Sequence, residues 1–206
     1  MPFKINGQSM YESYYDKQFI IVDRLSYRDI PLIWSIQEVE RWDVIVFAPW
    51  VSDERKYFIK RVLGLPGETL KIEWGKVYIQ KVGADDFVEI DESVYLSDEN
   101  DNNTTVKGNK SEMIYLIPEN RYFVMGDNRN HSTDSRTCFQ SCSVRGNYVQ
   151  PSEIIGKALV YNDSINITVT GVVENFKQRT DLVFEEFISH STLLQTERRD
   201  AIIDRD

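Results

Sequence analysis

The feature that most constrains the fold of this chain is a succession of short segments rich in β-branched and aromatic residues. No helical pattern alternates with these segments, so a doubly wound parallel sheet is not expected. We therefore predict a mainly β fold with an antiparallel or barrel-like core. The segments are FIIVDRL (19–25), WDVIVFAPW (42–50), KYFIKRVLGL (56–65), TLKIEW (69–74), KVYIQKV (76–82) and YFVMGD (122–127).

Two dipeptides predict tight turns between these strands. Pro66 fixes φ at the first central position of a type II turn, and Gly67 supplies the positive φ that the second position requires. Gly75, between Trp74 and Lys76, predicts a tight hairpin. Strands joined in this way lie antiparallel, in agreement with the predicted fold class.

The chain divides by composition into a core and two additions. We predict a β core from residues 1–75 and 115–162, interrupted by an inserted β unit at 76–114. The insertion contains a segment with almost no apolar residue, 98–112, for which we expect a mobile loop. Residues 163–206 are predicted to form a strand followed by an amphipathic helical extension that packs on the core, with binding to a partner or a membrane surface as the alternative.

Charge and hydropathy exclude several functions. A net charge of -9 leaves no basic face for nucleic acid, and we interpret the acidic stretches DDFVEIDE and SDENDNN as solvated loops. No segment approaches the roughly 18 consecutive apolar residues that span a bilayer, and no charged-then-apolar leader begins the chain. We expect either a cytosolic protein or a chain that has lost an anchor.

The chain contains two cysteines, Cys138 and Cys142. Their spacing would close a small disulfide loop in an oxidising compartment, and two free thiols are the alternative. Because His131 is the single histidine near them in the sequence, a zinc site is not expected.

One lysine lies in a predicted strand between apolar neighbours. Side chains alternate along a strand, so Lys60 shares a face with Phe58 and Val62. Burial there would lower the pKa of the amine, and a neutral amine can act as a base. A lysine that reaches solvent from a sheet edge is the structural alternative.

A second unusual string, GDNRNHSTDSR, covers residues 126–136 directly after the strand YFVM. Its Asn, Asp and Ser residues are also typical of ordinary turns. However, Asp134 and Arg136 can form an ion pair, and the hydroxyls of Ser132 and Ser135 can orient a nearby amine.

These strings together resemble the type I signal peptidases of bacteria, which are membrane-anchored serine–lysine proteases. NGQSM followed by FIIV resembles the nucleophile box, and RWDVIVF resembles the next strand. YFIKRVLGLPGE is similar to the lysine box, GDNRNHSTDSR to the GDNR box, and PSEIIGKA to the final core strand. The resemblance covers about residues 1–78 and 115–160.

The resemblance implies a role for individual residues. Ser9 corresponds to the nucleophile, Lys60 to the general base and Ser132 to the serine that orients the lysine. A serine hydroxyl needs an adjacent base, which a neutral lysine can supply. The residues that support the loop correspond to Asp127, Asn128, Arg129, Asp134 and Arg136. No metal or other cofactor is implied.

The sequence departs from the family pattern in several places. SMYES lacks the usual proline after the nucleophile box, and Trp42 replaces a glycine. Asn130 and His131 replace a common Asp-Asn. Gly7 stands where some members have a serine that assists the oxyanion, which leaves the Ser9 N–H as the donor.

The resemblance also implies the substrate and the location. Signal peptides of exported preproteins, with small residues at the first and third positions before the cut, would add as a strand between residues 4–8 and 57–59. Expected substrate-binding residues are Ile5, Gly7, Met10, Tyr14, Phe58 and Ile59, each of which is also suited to ordinary packing.

The expected location is the outer face of the bacterial cytoplasmic membrane, with the membrane surface and the secretion translocon as partners. The apolar stretch DIPLIW (29–34) is a candidate for membrane contact. The family's membrane anchor would be missing from this chain. Alternative functions are a degenerate peptide-binding module or a self-cleaving repressor-type protease.

Overall fold

The strand segments predicted between residues 19 and 127 do form strands, and all strand pairs among the described residues are antiparallel. The structure is a computed structural model that describes residues 2–24, 27, 38–50, 56–106, 108, 110–143 and 146–159. The mainly β fold class is confirmed. The strands are β1 Pro2–Lys4, β2 Phe19–Asp23, β3 Val44–Phe47, β4 Phe58–Gly64, β5 Thr69–Glu73, β6 Lys76–Gln80, β7 Val88–Glu89, β8 Glu112–Leu116, β9 Phe123–Met125 and β10 Ile154–Leu159.

The larger sheet contains six strands in the order β1-β2-β10-β3-β4-β9. Strand β3, VIVF, lies in its middle and is buried on both faces, which explains its continuous apolar sequence. Val44 and Val46 join one apolar cluster, whereas Ile45 and Phe47 join another. This sheet supplies the strand that carries Lys60.

The smaller sheet contains four strands in the order β7-β6-β5-β8. A tight turn joins β5 to β6, with positive φ at Trp74 (50°) and Gly75 (82°). A two-residue hairpin turn of type I′ requires positive φ at both of these positions. Because β5 belongs to this sheet, the sheet begins before residue 76, where the insertion was expected to start.

Strand β9 connects the small sheet to the loop at residues 126–136. Phe123 and Met125 pack in one cluster with the inward side chains of β5, β6 and β8, including Leu70, Val77 and Tyr115. Through its backbone, β9 pairs with residues 61–64 of β4 in the larger sheet. The loop that follows β9 is therefore held at the junction of both sheets.

Three short 3-10 helices complete the described part of the chain: Arg129–His131, Ser135–Gln140 and Pro151–Glu153. No described helix is long and apolar enough to cross a membrane. The expected membrane-contact stretch 29–34 and the expected C-terminal extension 163–206, with its strand and helices, lie outside the described residues.

The interpretation of the acidic insertion as solvated loops is wrong at several positions. Glu92, Asn100 and Thr104 are buried, although each lies in a stretch expected to face solvent. The side chains of all three hydrogen-bond to Arg129 in the loop after β9. Burial of polar groups is favourable only with such partners, so the sequence of the insertion alone could not reveal it.

Candidate active site

Lys60 lies in β4 opposite Ile45 of β3, and only 3% of its surface is exposed. Burial lowers the pKa of its amine to about 8, although the carboxylates of Asp134 and Asp127 act in the opposite direction. The amine lies 2.5 Å from Ser9 Oγ and donates to the carbonyl of Ile59 at 2.7 Å. The alternative of a lysine extended into solvent is excluded.

Ser9 lies in the turn that follows β1, and both local and distant bonds fix this turn. Locally, Tyr14 N donates to the carbonyl of Met10 at 2.8 Å. From the distant loop, Asn128 N donates to the carbonyl of Ser9 at 3.1 Å, and its Nδ2 donates to the carbonyl of Gln8 at 3.0 Å. The backbone on either side of the Ser9 side chain is therefore tied to the loop after β9.

Asp134 and Arg136 form the ion pair that their spacing suggested. Arg136 donates from Nε and Nη2 to the two carboxylate oxygens at 2.9 and 2.7 Å, and both side chains are buried. Burial alone would raise the pKa of Asp134, but the charge and hydrogen bonds of Arg136 and the N–H of Gly126 keep it below its ordinary value. The pair thus closes the loop from residue 126 to 136.

Asp127 pairs with Arg61, the neighbour of Lys60 in β4. Arg61 donates from Nε and Nη2 to the carboxylate at 2.9 and 2.6 Å. Sequence reasoning did not select Arg61, although strand alternation places it on the face opposite Lys60. The loop is thereby attached to the strand that carries the lysine.

Arg129 is also buried, and its partners lie in the inserted unit. Glu92 accepts two hydrogen bonds from it, at 2.8 and 2.5 Å, and Thr104 Oγ1 accepts a third at 2.8 Å. Tyr95 contributes its hydroxyl at 3.1 Å. Sequence reasoning missed these residues because no local pattern signals a pairing across more than 20 positions.

Ser132 lies beside the backbone of Ser9 but is not hydrogen-bonded to Lys60. Its hydroxyl is buried and meets no partner at full hydrogen-bonding geometry among the described residues, although its contact with the Asp134 carboxylate helps to lower the pKa of that group. A β-carbon added at Gly126 would collide with both Ser132 Oγ and the carbonyl oxygen of Ser9. The Ser132 hydroxyl and the Ser9 backbone carbonyl therefore border the same point next to Gly126.

The expected substrate-binding residues fall into two groups. Ile5, Met10 and Tyr14 are buried and pack in the core under the Ser9 turn. Phe58 and Ile59 are half-buried, and Gly7 is exposed with a φ of 115°. Gly7 N also donates to Asp16 Oδ1 at 2.7 Å.

Cys138 and Cys142 form a disulfide bond. The bridge follows the Asp134–Arg136 pair, and the backbone at Cys138, Phe139 and Gln140 has positive φ values of 48°, 54° and 64°. Phe139 is buried, with its ring centroid 5.8 Å from that of Phe58. The bridged segment therefore packs against the lysine strand.

Comparison with known proteins identifies the class. The family described as "Signal peptidase, peptidase S26" matches residues 1–162. The chain belongs to this family of peptidases.

The chain is also similar to individual proteins of this family, at sequence identities of 28% to 33%. The chain is 30% identical over 135 residues to Signal peptidase I V of Bacillus subtilis, a match that covers 65% of this chain and 73% of that protein. It is 33% identical over 137 residues to Signal peptidase I U of the same organism, covering 66% of this chain and 64% of the relative. A crystal structure of a signal peptidase I from Enterococcus faecalis is 28% identical and covers 60% of this chain and 98% of that one, with a TM-score of 0.41.

Proposed function

We propose that this protein is a serine endopeptidase that removes N-terminal signal peptides from exported preproteins, with Ser9 as nucleophile and Lys60 as general base. The observation that carries the proposal is the 2.5 Å separation of Ser9 Oγ and Lys60 Nζ, with the amine buried. Membership of the signal peptidase family supports the same class of reaction.

The chemistry begins with a neutral amine. Because burial lowers the pKa of Lys60 to about 8, its neutral form is accessible near neutral pH. The amine takes the Ser9 proton as Oγ bonds to the carbonyl carbon of the scissile peptide. Lys60 then gives this proton to the leaving nitrogen as the C–N bond breaks, and a water that Lys60 deprotonates hydrolyses the ester left on Ser9.

The carbonyl oxygen becomes negatively charged during the attack and needs a donor. The backbone N–H of Ser9 makes no hydrogen bond to other described residues, so it is free to donate to this oxygen. Asn128 holds the carbonyl of Ser9 at the other side of the residue. We propose that this contact fixes the direction of the donor.

The substrate is proposed to bind as an added strand. Residues Phe58–Lys60 pair with β3 on one edge, while β9 pairs with β4 only from Arg61 onward. Within the described residues, β1 pairs with β2 alone. An extended peptide could therefore bond to residues 4–8 and 57–59 with its main chain, and alternate side chains would point into the site.

The exposed or half-buried residues Gly7, Phe58 and Ile59 are proposed to contact the substrate. Close packing against them would favour small side chains at the first and third positions before the cut. Ile5, Met10 and Tyr14 would instead support the pocket from beneath, since they are buried in the core.

The proposed location is the outer face of the bacterial cytoplasmic membrane, where exported preproteins emerge. The membrane surface and the secretion translocon are the proposed partners. Family membership supports these assignments, and no step of the proposed reaction uses a cofactor.

The test is cleavage of a purified preprotein that has alanine at the first and third positions before the cut. In detergent or lipid, the protein should release a product whose N-terminus, read by mass spectrometry, begins directly after the first of these alanines. A bulky residue at that position should abolish the product. Failure to cut would contradict the proposal, and retained binding of the signal peptide would then indicate a peptide-binding module.

A further inference from the structure

The inserted unit holds one buried charge that belongs to the loop after β9. Only 1% of the surface of Arg129 is exposed, so its guanidinium requires a counter-charge close by. Glu92, from the segment that follows β7, supplies this charge through two parallel hydrogen bonds at 2.8 and 2.5 Å. Such a bidentate pair fixes the orientation of both side chains.

Arg129 is in direct contact with the backbone that shapes the nucleophile. Its Nε donates to the carbonyl of Gly126 at 3.1 Å. Gly126 lies against the carbonyl of Ser9 and the hydroxyl of Ser132, and Asn128 N donates to the same Ser9 carbonyl. A shift of Arg129 would therefore move the backbone that borders Ser9.

Tyr95, three residues after Glu92, links this pair to the lysine strand. Its hydroxyl bonds to both Glu92 and Arg129 Nη2. Its ring lies 4.1 Å from the guanidinium carbon of Arg61, a cation–π contact. Arg61 in turn holds Asp127 at the start of the loop.

A third contact reaches the same loop from the insertion. Asn100 Oδ1 accepts a hydrogen bond from the backbone N–H of Arg129 at 2.7 Å. The inserted unit therefore binds both the backbone and the side chain of Arg129. Residues 92–104 thus hold the loop through three side chains of the insertion, those of Glu92, Asn100 and Thr104, which all accept hydrogen bonds from Arg129.

We propose that Glu92 is a positioning residue for the Ser9–Lys60 pair and acts through Arg129. Residues 92–104 of the inserted unit then support the proposed site rather than forming an appendage. The catalytic consequence rests on the function proposed above, whereas the structural consequence for Lys60 does not.

The physical reason is the cost of an unpaired buried charge. Without the Glu92 carboxylate, Arg129 must turn toward water or admit water to its site. Either change moves the loop around Ser9 and reduces the burial of Lys60. A misplacement of about 1 Å lowers turnover by up to about 100-fold in comparable sites.

The experiment compares Glu92→Gln with Glu89→Gln. Gln keeps the shape of Glu and removes the charge. Glu89 lies in the same unit but pairs with Lys76 at the surface, so its substitution serves as the matched control. We expect Glu92→Gln to lower kcat on the preprotein by about 10- to 100-fold with KM changed by less than about threefold, while Glu89→Gln leaves both unchanged.

The second readout is the pH dependence of Lys60 reactivity, measured by trace acetylation and mass spectrometry. The charged groups that act on the Lys60 amine are Asp134, Asp127 and Arg136, and Glu92→Gln leaves all three in place. A loop that opens hydrates the amine, so the midpoint should move upward by about one pH unit. Because unfolded molecules would add a component with the ordinary lysine midpoint of about 10.4, the labelling is compared only for protein that circular dichroism shows to be folded.

Tyr95→Phe covers the case in which Glu92→Gln does not fold. It removes the hydroxyl that bonds to Glu92 and Arg129 and keeps the ring over Arg61, so a smaller upward shift is expected. An unchanged midpoint and kcat in a folded Glu92→Gln protein, or in Tyr95→Phe if the former does not fold, would overturn the inference. If the wild type cleaves no preprotein, the proposed function fails, and the Lys60 midpoint alone decides the positioning role.

Discussion

Lys60 Nζ lies 2.5 Å from Ser9 Oγ, although 51 positions separate the two residues in the chain. Two strands and a distant loop produce this contact: β4 carries the lysine, β1 leads to the serine, and the loop after β9 bonds to the backbone of Gln8 and Ser9. Each element can be perturbed separately, which makes the arrangement testable.

The buried amine predicts how stability depends on pH. The folded-state pKa of Lys60 is about 8 and the unfolded value is about 10.4. Below about pH 8 the folded protein must hold a buried ammonium, and this costs about 3 kcal/mol, a penalty that fades as pH rises to about 10.4. We expect Lys60→Met to raise the free energy of unfolding at pH 7 by about this amount.

Urea unfolding from pH 7 to 10.5 measures this prediction. The difference between Lys60→Met and the wild type should shrink as pH rises through the window, because the unfolded wild-type chain binds the additional proton there. A difference that stays constant over the same range would mean that Lys60 has an ordinary pKa.

Gly126 predicts a steric requirement at the site. A β-carbon there would collide with Ser132 and with the carbonyl of Ser9, so Gly126→Ala should lower the free energy of unfolding by about 1–3 kcal/mol and reduce preprotein cleavage. The matched control is Gly146→Ala, whose β-carbon would meet no atom closer than 3.9 Å. Equal behaviour of the two variants in thermal unfolding would contradict the close packing.

Two serines of the same loop should respond differently. The buried Ser132 hydroxyl meets no partner at full hydrogen-bonding geometry among the described residues and contributes only through its contact with Asp134, so Ser132→Ala should change stability by less than about 1 kcal/mol. Ser135 Oγ accepts the N–H of Val124 at 2.9 Å, so Ser135→Ala should lower stability by about 1–2 kcal/mol. Chemical denaturation distinguishes them.

Activity adds a separate test of Ser132. If its hydroxyl orients Lys60 during the reaction, Ser132→Ala should cleave preprotein about 10- to 100-fold more slowly while remaining fully folded. Unchanged cleavage would remove Ser132 from the proposed mechanism and leave Ser9 and Lys60 as its reacting pair.

The disulfide between Cys138 and Cys142 predicts a redox-dependent stability. A bridge that closes a loop this short contributes about 2 kcal/mol. Dithiothreitol should therefore lower the free energy of unfolding of the wild type by about this amount and leave the double variant Cys138→Ser, Cys142→Ser unchanged. The same response to dithiothreitol in both proteins would show that the bridge contributes nothing.

Much of the fold follows from local sequence patterns. Strands β2 to β6 and β9 fall within segments predicted from their β-branched and aromatic residues, and β10 ends one residue beyond the segment that family resemblance predicted. Strands β1 and β7 contain three and two residues, too few to show a period. Strand β8 has apolar residues on both faces, with Ile114 exposed and Tyr115 buried, so that alternation is lost.

The candidate site was less accessible to prediction. Strand alternation and spacing drew attention to Lys60 and to a possible Asp134–Arg136 pair but left ordinary structural roles open, whereas the roles of Ser9 and Lys60 came from resemblance to a family. Glu92 and Tyr95 were missed because a buried ion pair between distant segments depends on topology, which no local pattern contains.

Trp42 shows a different limit of sequence patterns. It stands where the resembling family has glycine, and its φ of 78° is the conformation that glycine adopts most easily. Contact of its ring with Tyr95, at 5.6 Å between centroids, accompanies this strained backbone. Trp42 therefore adopts a conformation typical of glycine although it carries a side chain.

The central claim is that Ser9 and Lys60 together perform the cleavage, and the most direct measurement is the rate of preprotein cleavage by wild type, Ser9→Ala and Lys60→Met in detergent. Circular dichroism and thermal unfolding first establish that all three proteins are folded. We predict cleavage by the wild type and none above background by either variant. Cleavage that persists in a folded Ser9→Ala or Lys60→Met protein would contradict the account.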